Sequence, residues 1–263
     1  MYAFEYQRAQ DVAAAVKAIK ASGGKALAGG QSLLGAMKLR LAQPGTLVDL
    51  GRINGLSGIK VDAGNVTIGA TTHHADVAAS AEVQNAIPAL AQLAGHIGDR
   101  QVRNRGTIGG SLANNDPAAC YPAAVLGLGA TVVTDRREIA ADNFFTGMYE
   151  TALAEDELIT AVRFPRPKRA AYLKFMNPAS RFALVGVFVA ETAGGVRVAV
   201  TGAASCVFRC KELEAALNKS LTPAAAKAVK LSADEFNGDL HATPEYRAHL
   251  IPVLAARAVA ALR

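Results

Sequence analysis

Apolar and polar residues recur with clear spacing in the first part of the chain. Residues 8–21 repeat apolar side chains at helical intervals, which predicts a helix that Gly23 and Gly24 end. Alternating residues on both sides of 62–65 predict a β-hairpin. The first part of the chain is therefore expected to mix helices with short strands.

The pattern changes near residue 168. Residues 182–191 and 196–202 predict two paired strands, and the chain from residue 211 is alanine-rich and predicted to be helical. Two prolines among the charged residues of 165–169 are typical of a linker. We therefore predict two units, 1–168 and 169–263.

Composition narrows the class of protein. Apolar residues make up 51% of the chain and charged residues 19%, which indicates a folded protein. The three cysteines form no disulfide framework and are too few for a four-cysteine iron–sulfur or zinc site. With no apolar signal sequence at its start, the chain is expected to be cytoplasmic.

Residues 117–134 carry no charge, which raises the question of a membrane segment. Proline and glycine interrupt this stretch, and its apolar part is too short to span a bilayer. A buried helix followed by a buried strand is expected there, and no transmembrane segment.

The net charge of +6 does not by itself indicate nucleic-acid binding. The chain has no tryptophan and only 6% aromatic residues, and it contains no known nucleic-acid module. Two basic clusters, 100–105 and 163–169, are interpreted as solvated loops or as docking sites for an acidic partner.

Two loops resemble each other in composition. Residues 28–33 and 107–111 each contain a Gly-Gly pair and a hydroxyl side chain beside apolar structure. Glycines let backbone N–H groups approach and surround an anion, so the pair of loops is predicted to bind the diphosphate of a dinucleotide. One such loop alone is more often a tight turn. Neither loop has the Walker or the Rossmann glycine pattern.

Longer motifs carry a family resemblance over essentially the whole chain. The segments 28–42, 47–50, 101–112 and 177–187 resemble the FAD-binding medium subunit of the molybdenum hydroxylases. That family includes the carbon monoxide dehydrogenase medium subunit and the xanthine dehydrogenase FAD subunit.

The resemblance implies an α+β fold. Residues 1–168 would form a p-cresol methylhydroxylase/vanillyl-alcohol oxidase-type FAD-binding domain of two α/β subdomains. Residues 169–263 would form a carbon monoxide dehydrogenase flavoprotein-like C-terminal domain, with a three-stranded antiparallel sheet and helices.

The resemblance also implies the positions that contact FAD. Two loops would hold the diphosphate, and other residues would approach the ribityl, adenosine and flavin parts. The implied positions are Ala28, Gly29, Gly30, Gln31, Ser32, Leu33, Ile97, Thr107, Ile108, Gly109, Gly110, Ser111, Asn115, Asp116, Cys120, Ile159, Lys174 and Phe182. No residue is assigned a catalytic or metal-binding role.

Some of these positions have simpler interpretations. Lys174, implied to lie near the flavin ring, could extend to water instead. Phe182 and Ile97, implied to lie beside the ring, could be core residues. The family usually has aspartate where this chain has Cys120, and a thiol is a weak acceptor. The adenosine contact implied at Cys120 is therefore in doubt.

By resemblance, the chain is an electron-transfer flavoprotein subunit of a molybdopterin-dependent oxidoreductase. It would bind FAD non-covalently and take electrons from 2Fe–2S clusters of a small subunit. A large subunit would carry the molybdopterin, in a dimer of heterotrimers. An FAD-free scaffold and a self-contained flavin oxidase are the alternatives. The substrate of the complex and its electron acceptor stay open.

Overall fold

The computed structural model describes residues 1–263. Its first part is a parallel three-stranded sheet in the order β1-β3-β2, with two helices. The elements are β1 (Glu5–Arg8), α1 (Val12–Ser22), β2 (Lys25–Leu27), α2 (Leu33–Lys38) and β3 (Thr46–Asp49).

Helix α1 begins four residues later than predicted, at Val12 and not at residue 8, because Arg8 belongs to strand β1; its end before Gly23 is as predicted. Asp11 accepts a hydrogen bond of 2.7 Å from the N–H of Ala14 and so caps the first turn. Gly23 ends the helix in the left-handed region, at φ +60°. Ala15 and Ile19 are buried in a small core with the sheet, which fixes where β2 and its following loop begin.

A second, antiparallel sheet follows in the order β4-β5-β10-β6-β7. Its strands are β4 (Ile59–Val61), β5 (Asn65–Gly69), β6 (Thr131–Thr134), β7 (Glu138–Ala140) and β10 (Ile159–Pro165). Strands β8 (Phe145–Gly147) and β9 (Glu150–Thr151) pair separately. The helices between these strands are α3 (His74–Ala79), α4 (Ala81–Ala86), α5 (Pro88–Gly95), α6 (Arg100–Arg103), α7 (Ile108–Asn114) and α8 (Tyr121–Leu128).

The third sheet is antiparallel, in the order β11-β12-β13-β14. It contains β11 (Arg169–Met176), β12 (Ala183–Thr192), β13 (Gly195–Thr201) and β14 (Phe208–Arg209), followed by α9 (Lys211–Lys219), α10 (Pro223–Ala228) and α11 (Pro244–Ala260). The predicted three strands are present, but the prediction missed β14, whose two residues are too few for an alternating pattern.

Helix α8 connects the parts of the molecule. All its residues are buried, and it packs against β12 and β13 on one side and against α7 and β10 on the other. The stretch 117–134 thus forms a buried helix followed by strand β6, as expected. No helix in the chain has the length and apolar character needed to cross a membrane.

The predicted boundary at residue 168 falls between β10 and β11, which belong to different sheets. The largest core crosses it, because Tyr172 and Phe188 pack in the same cluster as Val66 and Tyr121. The third sheet therefore shares a hydrophobic core with residues that precede the boundary, including those of α8.

Candidate functional site

The loop after β2 presents a run of unpaired backbone donors. The N–H groups of residues 29–33 have no backbone acceptor. Gly30 adopts φ +73°, which other residues rarely do, and Ser32 is exposed and makes no capping hydrogen bond. Free N–H groups in succession, with a hydroxyl beside them, are what an anionic group such as a phosphate binds.

The two Gly-Gly loops lie against each other. A Cβ placed on Gly29 would lie 2.1 Å from the carbonyl oxygen of Arg105, so the first loop needs glycine to approach the chain just before Thr107. A Cβ on Gly110 would lie 3.8 Å from the Cβ of Ala28. The structure thus brings together two loops that are far apart in sequence.

The second loop differs from the first in its hydrogen bonding. Four of its N–H groups are already used: Ile108 donates to Thr72, Gly109 to Ala70, and both Gly110 and Ser111 to Thr107. The prediction treated both loops as equal sources of free N–H groups, and for the second loop it is wrong. Its amides are consumed because α7 begins there and packs against the end of β5.

Glycine at position 109 has a packing role. A Cβ at this position would lie 2.7 Å from the Cβ of Ala70 and 2.8 Å from its carbonyl oxygen. Gly109 and Ile108 are both buried in α7, facing the core. The buried side of the second loop is therefore the one with Ile108 and Gly109, and its exposed side includes Gly110.

That exposed side includes a residue the sequence prediction missed. Gly110 is exposed, and Ser111 and Asn114 are half-buried. Asn114 follows Gly110 by four residues and Ser111 by three, so all three lie on the same side of α7. Asn114 therefore lies on the side that faces the first loop through Gly110. Its helical spacing from Gly110 and Ser111 was the signal available in the sequence.

Asn115 and Asp116 shape the end of α7. Asn115 is fully buried at φ +42°, and its amide donates to the carbonyls of Gly147 and Glu150 at 2.8 and 2.7 Å. Its Oδ1 atom has no partner. Asp116 accepts from the N–H of Ala118 at 2.9 Å. Both residues therefore fix the chain that leads to residue 120.

Lys174 lies at the meeting point of three segments. Its Nζ atom donates to the carbonyl of His96 at 2.8 Å, to the carbonyl of Arg181 at 2.9 Å, and to Sγ of Cys120 at 3.4 Å. The sequence interpretation put Lys174 at the flavin ring and Cys120 at the adenosine. In the structure these two side chains are in direct contact, so we expect the same part of a bound ligand beside both, and their individual contacts stay predictions.

Two other predicted positions come to the same place. Ile97 follows His96, and Phe182 follows Arg181, so each is the neighbour of a residue that binds Lys174. Phe182 is 51% exposed and lies just before β12, where the pattern placed it inside the strand. We call Ile97, Cys120, Lys174 and Phe182 the ring-end cluster. Ile159, at the start of β10, is instead buried in the large core.

The ring-end cluster is electrostatically positive. The pKa of His96 is lowered by its partial burial and then by the charges of Lys174 and Arg103. Burial lowers the pKa of the nearby His74 to about 4, with smaller effects of His73 and Arg103. No group of three or more His, Cys, Asp or Glu residues lies close enough to hold a metal ion.

Comparison with known proteins identifies the family. The family model described as "FAD binding domain in molybdopterin dehydrogenase" matches residues 2–167. The chain belongs to this family. FAD is therefore its cofactor, and the loop contacts described above lie within the matched region.

Related proteins extend the match over nearly the whole chain. The nicotine 6-hydroxylase medium subunit of Paenarthrobacter nicotinovorans is 39% identical, over 89% of this chain and 88% of its own. The carbon monoxide dehydrogenase medium chain of Hydrogenophaga pseudoflava is 36% identical, over 97% and 96%. A solved structure of carbon monoxide dehydrogenase from Hydrogenophaga pseudoflava, lacking the Mo-pyranopterin moiety, matches with a TM-score of 0.90 over 99% of this chain and 97% of its own.

These comparisons confirm the family resemblance and the α+β fold with its methylhydroxylase-type FAD-binding domain. They also confirm that the chain is the FAD subunit of an oxidoreductase of the molybdenum hydroxylase family. The individual FAD contacts and the boundary at residue 168 stay predictions.

Proposed function

We propose that this chain is the electron-transfer subunit of a molybdenum hydroxylase, with FAD held non-covalently between the two Gly-Gly loops and the ring-end cluster. The observation that carries the proposal is the run of free N–H groups at residues 29–33, in contact with the second loop. Charge-assisted hydrogen bonds from such groups contribute about 1.5–3 kcal/mol each.

The residues present fit FAD. The first loop supplies free backbone donors and the exposed Ser32, and the side of α7 that faces this loop supplies Ser111 and Asn114. These groups would hold the diphosphate.

The ring-end cluster would receive the isoalloxazine. When bound, FAD supplies the redox chemistry, because it can transfer electrons singly or in pairs. Lys174 would place a fixed positive charge beside the ring, where it stabilises the negative charge gained on reduction. Ile97 and the exposed Phe182 would cover the ring with apolar surface and limit the access of water. No side chain needs to act as an acid or base on the organic substrate.

The chain needs partners to complete an electron path. Its three cysteines are free, and they cannot ligate an iron–sulfur cluster without further ligands. We propose that a small subunit supplies 2Fe–2S clusters, that a large subunit supplies the molybdopterin, and that two such trimers associate. Relatives named as medium subunits or medium chains support this proposal. Free thiols also support a reducing compartment, the cytoplasm.

Purification of the chain alone and with its partner subunits tests the function. The isolated chain should be yellow, and its flavin should bleach only when the partners and their substrate are added. A colourless protein that takes up no FAD would indicate the scaffold alternative. Bleaching by substrate without partners would indicate a self-contained oxidase. Native mass spectrometry that shows only free monomer after co-expression would contradict the proposed assembly.

A further inference from the structure

The ammonium group of Lys174 has three protons and three partners, and none of the partners carries a negative charge. Two are backbone carbonyls, and the third is the thiol of Cys120. Lys174 takes part in none of the salt bridges of the chain. The charge of Lys174 is therefore oriented by the fold but not neutralised.

A second cation lies nearby. Arg103 donates to the carbonyls of Ile97 and Gly98 at 2.9 and 3.0 Å, and it too has no salt bridge. Burial lowers the pKa of His96, and the positive charges of Lys174 and Arg103 lower it further. The ring-end cluster thus keeps a net positive potential.

Position 120 is where a negative charge would fit. Sγ of Cys120 lies 3.4 Å from Nζ of Lys174 and is almost completely buried. The Tyr172 hydroxyl is also fully buried and has no hydrogen-bond partner. Burial raises the pKa of Tyr172, followed by the effects of Cys120, against which it lies. Lys174 therefore donates to position 120, and a carboxylate there would accept from it.

We propose that Cys120 is a tuning residue for the flavin. Its neutral thiol leaves the charge of Lys174 uncompensated, so that the full positive charge acts on the bound ring and raises its reduction potential. The proposal rests on the proposed placement of the ring beside Lys174. An acidic residue at position 120 would form a buried ion pair with Lys174 and remove most of this effect, because charges at short range interact strongly away from water.

The charge claim is testable in the apoprotein, without any flavin. The pKa of His96 is measured by NMR in the wild type, Cys120→Ser and Cys120→Asp. We expect Cys120→Asp to raise the pKa of His96 by about half a unit, since it neutralises a neighbouring cation. Cys120→Ser should leave it unchanged. An equal pKa of His96 in the Ser and Asp variants would overturn the proposal.

The redox claim is tested in the FAD-loaded chain by spectroelectrochemical titration. We expect the midpoint potential of Cys120→Asp to lie at least 30 mV below that of Cys120→Ser, about a tenfold change in the equilibrium constant of a two-electron couple. A shift of the His96 pKa with an unchanged potential would overturn the tuning role. Failure of all variants, wild type included, to bind FAD would instead contradict the proposed function.

A second variant covers the case in which Cys120→Asp does not fold. Lys174→Gln removes the charge directly and keeps a polar side chain for the two carbonyls. It should raise the pKa of His96 and lower the midpoint potential, each about as much as Cys120→Asp does. If neither quantity changes, the charge of Lys174 has no influence on the site and the proposal is wrong.

Discussion

Gly30 tests whether the free N–H groups of the first loop bind the cofactor. The residue is held at φ +73°, and a Cβ there would lie 2.8 Å from Cδ1 of Leu34. In Gly30→Ala, the left-handed conformation costs about 1–2 kcal/mol. The loop relieves this strain by rotating, which turns neighbouring N–H groups away from the ligand. Loss of one charge-assisted hydrogen bond costs about 1.5–3 kcal/mol, or roughly ten- to a hundredfold in affinity.

The chain offers a matched control for the strain. Gly23 has a similar φ of +60°, and a Cβ there would meet nothing within 4 Å. Fluorescence-quench titration of the apoprotein with FAD, with thermal unfolding in its absence, separates the two effects. Both variants should lose thermal stability, but only Gly30→Ala should bind FAD more weakly. Equal FAD affinity in the two variants would refute the assignment of this loop.

Three further predictions concern stability. Gly109→Ala forces a Cβ against Ala70 and should cost about 1–3 kcal/mol in the free energy of unfolding without FAD; an unchanged melting temperature would disprove the packing role. Asn115→Ala removes two hydrogen bonds from the buried amide to backbone carbonyls and should cost about 2–4 kcal/mol by urea unfolding, whereas a loss confined to FAD binding would contradict this. The hydrogen bonds of Arg137 are the largest influence holding the pKa of Glu157 at about 2, below its usual 4.5. Its stabilisation is complete above pH 4.5 and lost as the pH falls to about 2, so the melting-temperature gap between wild type and Glu157→Gln should close over that range. A gap that is constant with pH would exclude this linkage.

Much of the fold could be predicted from local sequence. The end of α1 follows from Gly23, although its start was placed at residue 8, within strand β1; the uncharged stretch 117–134 forms the predicted buried helix and strand. Strand β14 could not be predicted, since two residues show no period and their strand exists only through pairing with β13. The core that joins both units could not be predicted either, because it depends on which faces of the helices and sheets pack together.

The candidate site was predictable in part. The glycine and hydroxyl pattern located both loops, but it did not distinguish them, because the N–H groups of Ile108 and Gly109 in the second loop are satisfied by the distant Thr72 and Ala70. The role that we propose for Asn114 was overlooked because it depends on which side of α7 faces the first loop. Phe182 was placed in a strand that begins one residue later.

The sequence by itself determined which residue types are available: glycines that permit close backbone approach, hydroxyls beside them, and a lysine and a thiol at positions 174 and 120. The tertiary structure decided which amides stay free and which charges stay unpaired. Lys174 meets His96 and Cys120 across 78 and 54 residues of chain. Hydrogen bonds and Coulomb interactions depend on distances in space, and only the packing of the third sheet against residues 1–168 sets those distances.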